Sequence, residues 1–272
     1  MTIVREALWD DAPETKLQGV VRHIMRCLAS IGWTMRIFAH SVWAFPSVLT
    51  RASTRADFMR QLYATGIRTL PVVTVVSLFM GMILALQVGL ELARFNQQTY
   101  LGAAVLLTLM REMAPFSCGV CLAACVGSAI AAELGTMKVN DEIAALEIMA
   151  ISPIRFLAAP RLLALIVMAP IVAFYCCVTG TIGGGVVGAT QLNVDFGQYI
   201  SSALSMAAVK DLYMGLVKSA VFGAIVGTVA CSEGFATRLG ATGVGRSTQR
   251  SVIMSFLLIL MLGYMITRAC YQ

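Results

Sequence analysis

The sequence is poor in charge. Only 12% of its 272 residues are charged and 58% are hydrophobic, whereas a soluble globular domain has about 25% charged residues. Such a chain cannot cover a water-facing surface with polar groups, which indicates a membrane-embedded protein. The net charge of +6 does not indicate nucleic-acid binding, because nine of the twenty Lys and Arg residues precede residue 70 and follow a helical pattern expected beside an anionic membrane face.

Histidine is nearly absent, and so are the common catalytic motifs. The two histidines, His23 and His40, lie in the N-terminal segment, away from any apolar span. The chain has no G-x-x-x-x-G-K-[ST] phosphate loop and no H-E-x-x-H zinc motif. We therefore predict that it is not an enzyme, and that it has no catalytic residues, no metal and no cofactor of its own.

The eight cysteines do not follow the pattern of a secreted disulfide protein. At least six lie in or beside apolar runs, so they are interpreted as small hydrophobic residues. Cys118, Cys121 and Cys125 fall on one helix face. A contact between helices is favoured there over a metal site.

The N-terminal quarter differs from the rest of the chain. Residues 1–16 are polar and are predicted to be flexible. In the segment 17–68 apolar residues recur at helical spacing, with Arg and Trp between them, which is typical of an amphipathic helix in the membrane interface. A soluble amphipathic helix packed on a partner is the alternative.

The remainder, 69–272, contains long apolar runs and is predicted to be the transmembrane domain. A helix needs about 20 apolar residues to cross a bilayer. Five runs meet or approach this length, so the sequence predicts an all-α integral membrane protein. The predicted spans are 69–90, 100–132, 162–194, 212–232 and 251–267.

Basic residues predict the orientation of these spans. With the N-terminus in the cytoplasm, the segments 1–68, 133–161 and 234–250 are cytoplasmic and hold fifteen Lys and Arg residues, and the opposite face holds three. Positive residues favour the cytoplasmic side. The prediction is therefore a cytoplasmic N-terminus and, with five spans, a periplasmic C-terminus.

Two adjacent charges interrupt the second span. Arg111 and Glu112 each cost about 2.5–3.5 kcal/mol or more at the centre of a bilayer, so they are expected to face the bundle interior or a wet cavity. One interpretation is a polar element of a substrate cavity or gate. The other is a structural ion pair with another helix, for example with Lys218.

A polar segment follows the second span. Asn140 is predicted to cap a short amphipathic helix at about 139–150, with Asp141 and Glu142 at its positive end. The dipeptide Ser152-Pro153 is predicted to stop it. Such a helix on the cytoplasmic face docks onto a partner or lies on the bilayer.

The stretch from Val126 to Pro153 is similar to the signature of the MlaE/YrbE permease family of MCE lipid-transport systems. The resemblance covers about residues 20–270. Its further matching stretches are Arg60–Tyr63, Gly81–Gln87, Arg111-Glu112 with Pro115, Pro160-Arg161, Lys218-Ser219, Val221–Gly223, and Gly243 and Gly245 with Thr248. One departure is Cys125, where the family usually has an arginine.

The resemblance implies a homodimeric permease related to ABC lipid exporters, with an interfacial N-terminal helix and about five spans. It implies a separate cytoplasmic ATPase that binds ATP and Mg, a periplasmic MCE-domain protein, and phospholipid or a related lipid as cargo. The inner membrane of a Gram-negative-type bacterium is the expected location, ahead of a chloroplast envelope. A membrane scaffold that transports nothing is the alternative function.

The residues expected to carry this function fall into two groups. Those assigned to ATPase coupling are Glu133, Lys138, Asn140, Asp141, Glu142, Ile143, Leu146 and Glu147. Those assigned to a lipid cavity or gate are Met80, Leu84, Gln87, Arg111, Glu112 and Leu257.

Overall fold

A computed structural model describes residues 52–192, 194–238 and 240–271, together with positions 32, 35, 36 and 39. The predicted flexible segment 1–16 lies outside the described residues, as does most of the predicted interfacial segment 17–68. The described part is helical and contains no strand. Its helices are α1 Ala52–Thr65, α2 Leu70–Arg94, α3 Leu101–Thr108, α4 Ala114–Leu122, α5 Ser128–Val139, α6 Glu142–Ile148, α7 Ala159–Gln191, α8 Phe196–Met206, α9 Val209–Phe235 and α10 Gly240–Tyr271.

Five helical rods in the described residues are long and apolar enough to cross a membrane, which confirms the predicted all-α membrane fold. They are Asp57–Arg94, Gln98–Val139, Ile154–Gln191, Val209–Phe235 and Gly240–Cys270. We call them the first to fifth spans.

The rods are longer than the apolar runs that predicted them. The second span has 42 residues, or about 60 Å at 1.5 Å per residue, against a hydrocarbon core of about 30 Å. It remains continuous because the π-helical turns Leu109–Met113 and Ala123–Gly127 join α3, α4 and α5. The helices are therefore longer than the hydrocarbon core is thick. Either their polar ends project beyond the core or the helices are tilted within it.

The second, third and fourth spans form the centre of the bundle. The third span packs against the first and fourth spans, and the fifth packs against the second and fourth. The first and fifth spans lie at the edges and expose large apolar side chains along most of their length. These include Val75, Phe79 and Ile83 on α2, and Met261, Tyr264 and Met265 on α10.

The two ends of the bundle carry different short helices. Helix α6 joins the second and third spans, and we call that side the α6 end. Helix α8 joins the third and fourth spans at the opposite side, the α8 end, and packs against α3. The side chain of Asp195 caps α8 by accepting a hydrogen bond from the backbone N–H of Gln198 at 3.1 Å. Tyr199 of α8 is completely buried.

Glycine allows the first and third spans to touch through their backbones. A Cβ added at Gly81 would collide with the carbonyl group of Gly180. In lipid, helices gain little hydrophobic free energy by associating, so close packing of small residues is a main source of their attraction. This contact therefore fixes the distance between the first and third spans.

We expect Gly81→Ala to reduce the free energy of unfolding by about 1–3 kcal/mol, the usual cost of overpacking a dense interior. Thermal unfolding of the purified protein in detergent measures the loss. Gly245→Ala is the matched control, because no atom lies within 4 Å of the added Cβ and alanine is favoured over glycine by about 1 kcal/mol inside a helix. Equal stability of the two variants would contradict the close contact.

Candidate functional site

The Arg111 side chain on the second span pairs with an aspartate in the first turn of the fourth span. The Arg111 Nε and Nη2 atoms donate to the two carboxylate oxygens of Asp211 at 2.9 and 3.0 Å. The Asp211 side chain is 5% exposed and that of Arg111 is 43% exposed. Two parallel hydrogen bonds between charged groups fix the angle as well as the distance between the helices.

The neighbouring Glu112 pairs with Lys218, two helical turns further along the fourth span. The Lys218 ammonium donates to Glu112 Oε2 at 2.6 Å and lies 3.4 Å from the carbonyl oxygen of Arg111. That carbonyl oxygen lacks its usual helical donor, because the residue four positions later is Pro115, which has no N–H. The ammonium therefore replaces a missing backbone hydrogen bond and also neutralises the glutamate.

A threonine brings the fifth span into the same network. Thr267 Oγ1 donates to Glu112 Oε1 at 2.6 Å and accepts from Lys218 Nζ at 2.6 Å. Because Asp211 begins α9 and Thr267 lies near the end of α10, the network is at the α8 end of the bundle. The charges of its two positive and two negative side chains cancel. Arg111, Glu112, Asp211, Lys218 and Thr267 are called the polar network below.

A cavity of about 230 Å³ lies against the network, between the second, fourth and fifth spans. Glu112 and Lys218 supply its polar wall. The other lining residues are apolar or aromatic for the most part: Met113, Phe116, Phe222, Ile259, Leu260, Gly263 and Tyr264. The two sequence interpretations of Arg111 and Glu112 are therefore compatible, since Glu112 forms an ion pair with Lys218 and also borders a cavity.

The other predicted cavity residues lie elsewhere. Met80 and Leu84 are half-buried on the first span, Gln87 is exposed there, and Leu257 is 48% exposed on the fifth span. The first span packs on the third span, and the fifth packs on the opposite side of the bundle. Within one chain these four residues do not line the cavity beside the polar network.

The predicted short helix exists at the α6 end, but its bounds differ. It spans Glu142–Ile148 rather than 139–150, and its N-cap is Asp141 rather than Asn140, which instead ends α5. Both flanks turn sharply, since Asp141 has a φ of 59° and Ala150 a φ of 58°. These left-handed conformations end the neighbouring helices before Ser152-Pro153 is reached.

Helix α6 shows an acidic face to solvent and an apolar face to its own chain. Asp141, Glu142 and Glu147 are exposed, as are Lys138 and Asn140 of the preceding turn. Two of the predicted coupling residues instead pack inward: Ile143 is 3% exposed and Leu146 is half-buried against the core. The apolar side chains that face outward are those of Ile148, 86% exposed, and Met149, 61% exposed.

Glu133, also assigned to coupling, has 55% of its side chain exposed and forms an ion pair within its own chain. Its Oε1 atom lies 3.0 Å from Nη2 of Arg161 in a salt bridge, and the Arg161 side chain is only 7% exposed. The pair connects the second span to the start of the third.

Sequence reasoning missed two members of the polar network, Asp211 and Thr267, and named Lys218 only as an example of an ion-pair partner. A usable signal was present on the fourth span, because Asp211 and Lys218 are seven residues apart and so share a helix face. Thr267 gives no comparable signal, since a threonine near the end of a span is common. Cys125, which departs from the family pattern, lies half-buried in the π-helical turn Ala123–Gly127.

The fold defines a polytopic helical membrane protein with a buried polar network between its second, fourth and fifth spans. The family model described as Permease MlaE matches residues 58–269. The chain therefore belongs to the MlaE permease family, and the resemblance inferred from the sequence is confirmed.

Named relatives agree with this family. A Rickettsia typhi protein named as an ABC transporter permease is 36% identical over 93% of this chain and 96% of its own length. The Haemophilus influenzae protein named intermembrane phospholipid transport system permease protein MlaE is 30% identical over 82% of this chain and 87% of its own length. The Arabidopsis thaliana protein TRIGALACTOSYLDIACYLGLYCEROL 1, chloroplastic, is 31% identical over 79% of this chain and 61% of its own length.

We expect Glu112→Gln to lower the free energy of unfolding by about 3 kcal/mol, because it leaves the buried Lys218 ammonium without its carboxylate. The double variant Glu112→Gln with Lys218→Met is expected to lose less, since it removes both charges. Thermal or denaturant unfolding in detergent measures the two values.

Glu91→Gln is the control for these variants, because both side chains of the Glu91–Arg94 pair are exposed. Exposed ion pairs contribute about 0–1 kcal/mol to the free energy of unfolding. A loss in Glu112→Gln no larger than that of the control would show that the polar network does not stabilise the bundle.

Proposed function

We propose that this permease moves phospholipid, or a related lipid, between the inner membrane and a periplasmic MCE-domain protein. A separate cytoplasmic ATPase binds ATP and Mg and drives the movement. The observation that carries the proposal is the cavity between the second, fourth and fifth spans. It joins a wall of paired charges to walls of apolar and aromatic side chains, and a phospholipid combines a charged headgroup with apolar chains in the same way. The name of the Haemophilus influenzae relative supports this cargo.

The polar network supplies the headgroup contacts in this proposal. Arg111 is the partly exposed member of its pair, with 43% of its side chain accessible, and Glu112 is 39% exposed. Each therefore keeps an open side toward an incoming phosphate or amine while its buried partner holds it in place. Asp211 and Lys218 are the buried partners, and their role is to position the two exposed charges.

A homodimer completes the lipid path. Met80, Leu84 and Gln87 on the first span and Leu257 on the fifth span lie on the edge helices of the subunit. Because the two edges are far apart in one chain, apolar walls built from both require a second copy. Such an assembly also covers the large apolar side chains that α2 and α10 expose.

Helix α6 is the docking element for the ATPase. Its acidic residues and the outward-facing Ile148 and Met149 form a mixed surface at the tip of the second span. Docking there places the ATPase on the α6 end, which is the cytoplasmic side by the distribution of basic residues. The α8 end then faces the periplasm and the MCE-domain protein.

Charge reversal tests the docking surface. We expect Asp141→Lys combined with Glu142→Lys to reduce co-purification of the ATPase about tenfold or more, because like charges opposed at an interface cost several kcal/mol. Quantitative mass spectrometry of the tagged protein in mild detergent measures the partner. Glu91→Lys, exposed at the α8 end, is the control and is expected to retain the ATPase; equal retention by both variants would remove the docking assignment.

The same purification tests the function as a whole. The wild-type protein is expected to carry an ATPase, an MCE-domain protein and phospholipid, the last detected by lipid mass spectrometry. A protein that remains stable in several detergents with neither partner nor lipid would favour the non-transporting scaffold.

A further inference from the structure

A buried arginine connects the second and third spans at the α6 end. Arg161 lies in the first turn of α7, and its Nη2 atom forms a salt bridge of 3.0 Å with Oε1 of Glu133 on α5, whose side chain is 55% exposed. Its Nη1 atom donates to the carbonyl oxygen of Leu157 at 2.9 Å. The guanidinium is also within electrostatic reach of Cys231, which is fully buried on α9. The second and third spans therefore meet at this one side chain.

The guanidinium is incompletely satisfied. Its Nε atom is buried and has no hydrogen-bond partner. A buried charge with an unused donor depends strongly on the carboxylate that faces it, since the low dielectric strengthens the attraction and penalises separation.

Glu133 is connected to α6 through the second half of α5 and one sharp turn at Asp141. It lies in the middle of α5, which ends at Val139, and α6 begins at Glu142. Ile143 anchors α6 to the core with 3% exposure. A displacement of α6 is therefore carried along about two turns of helix to Glu133.

We infer that the Glu133–Arg161 ion pair is the joint that transmits movement of α6 to the third span. Glu133 is then a positioning residue that acts through Arg161, and not a contact for the ATPase. The inference rests on the proposed function, because it requires that an ATPase acts on α6.

The test uses the complete complex of permease, ATPase and MCE-domain protein in phosphatidylethanolamine–phosphatidylglycerol vesicles. The quantity measured is the number of lipids moved per ATP hydrolysed. Glu133→Gln is expected to keep the ATPase bound and ATP hydrolysis active, while the ratio falls about tenfold, within the usual range of a coupling free energy. Asp57→Asn, which also changes an exposed acid on the α6 side of the bundle, is the control and is expected to keep the wild-type ratio.

If Glu133→Gln moves as many lipids per ATP as the wild-type complex, the inference is wrong. Loss of the bound ATPase in this variant would also overturn it, because that result is expected of a docking residue. If Glu133→Gln does not fold, Glu133→Asp keeps the charge but shortens its reach. We expect this variant to move an intermediate number of lipids per ATP. A wild-type number would again contradict the inference. A wild-type complex that moves no lipid would contradict the proposed function itself, and the inference would fall with it.

Discussion

Burying charge among apolar helices is the constraint on which the rest of the structure depends. Arg111 and Glu112 interrupt an apolar span, and each is tolerated because a fourth-span residue of opposite charge lies against it at 2.9 Å or less. Pairing and burial inside the bundle are the conditions under which membrane proteins keep ionisable residues. The same requirement draws the fifth span inward through Thr267. The polar network thus sets the relative positions of three spans.

The second span connects the α8 end and the α6 end of the bundle. Arg111 and Glu112 lie toward its α8 end and Glu133 lies toward its α6 end. The span is continuous between them, because its two π-helical turns join the neighbouring α-helices without a break. Such widened turns occur frequently at functional sites. At each end an ion pair ties the rod to a neighbouring span, so the rod cannot shift at one end without changing contacts at the other.

The sequence predicted the fold class, the five spans and the presence of α6, because apolar runs and a polar amphipathic segment are local patterns. It placed the N-cap at Asn140 because asparagine is a common cap. The left-handed backbone of Asp141 moved the cap by one residue. The partners of Arg111 and Glu112 lie about a hundred residues away in the sequence. Pairing over such a distance leaves no periodic pattern in the local sequence from which it could be predicted. The pairing of Glu133 likewise depends on Arg161, which belongs to another helix.

The measurement that tests the account most directly is ATP-dependent movement of labelled phospholipid by the reconstituted complex. The negative control, called the blank, is a complex in which the phosphate-loop lysine of the ATPase is replaced so that ATP is not hydrolysed. The account predicts lipid movement with ATP and the intact ATPase, and none with the blank. Lipid movement at equal rates in both complexes, or in neither, would contradict the assignment of this chain as an ATP-driven lipid permease.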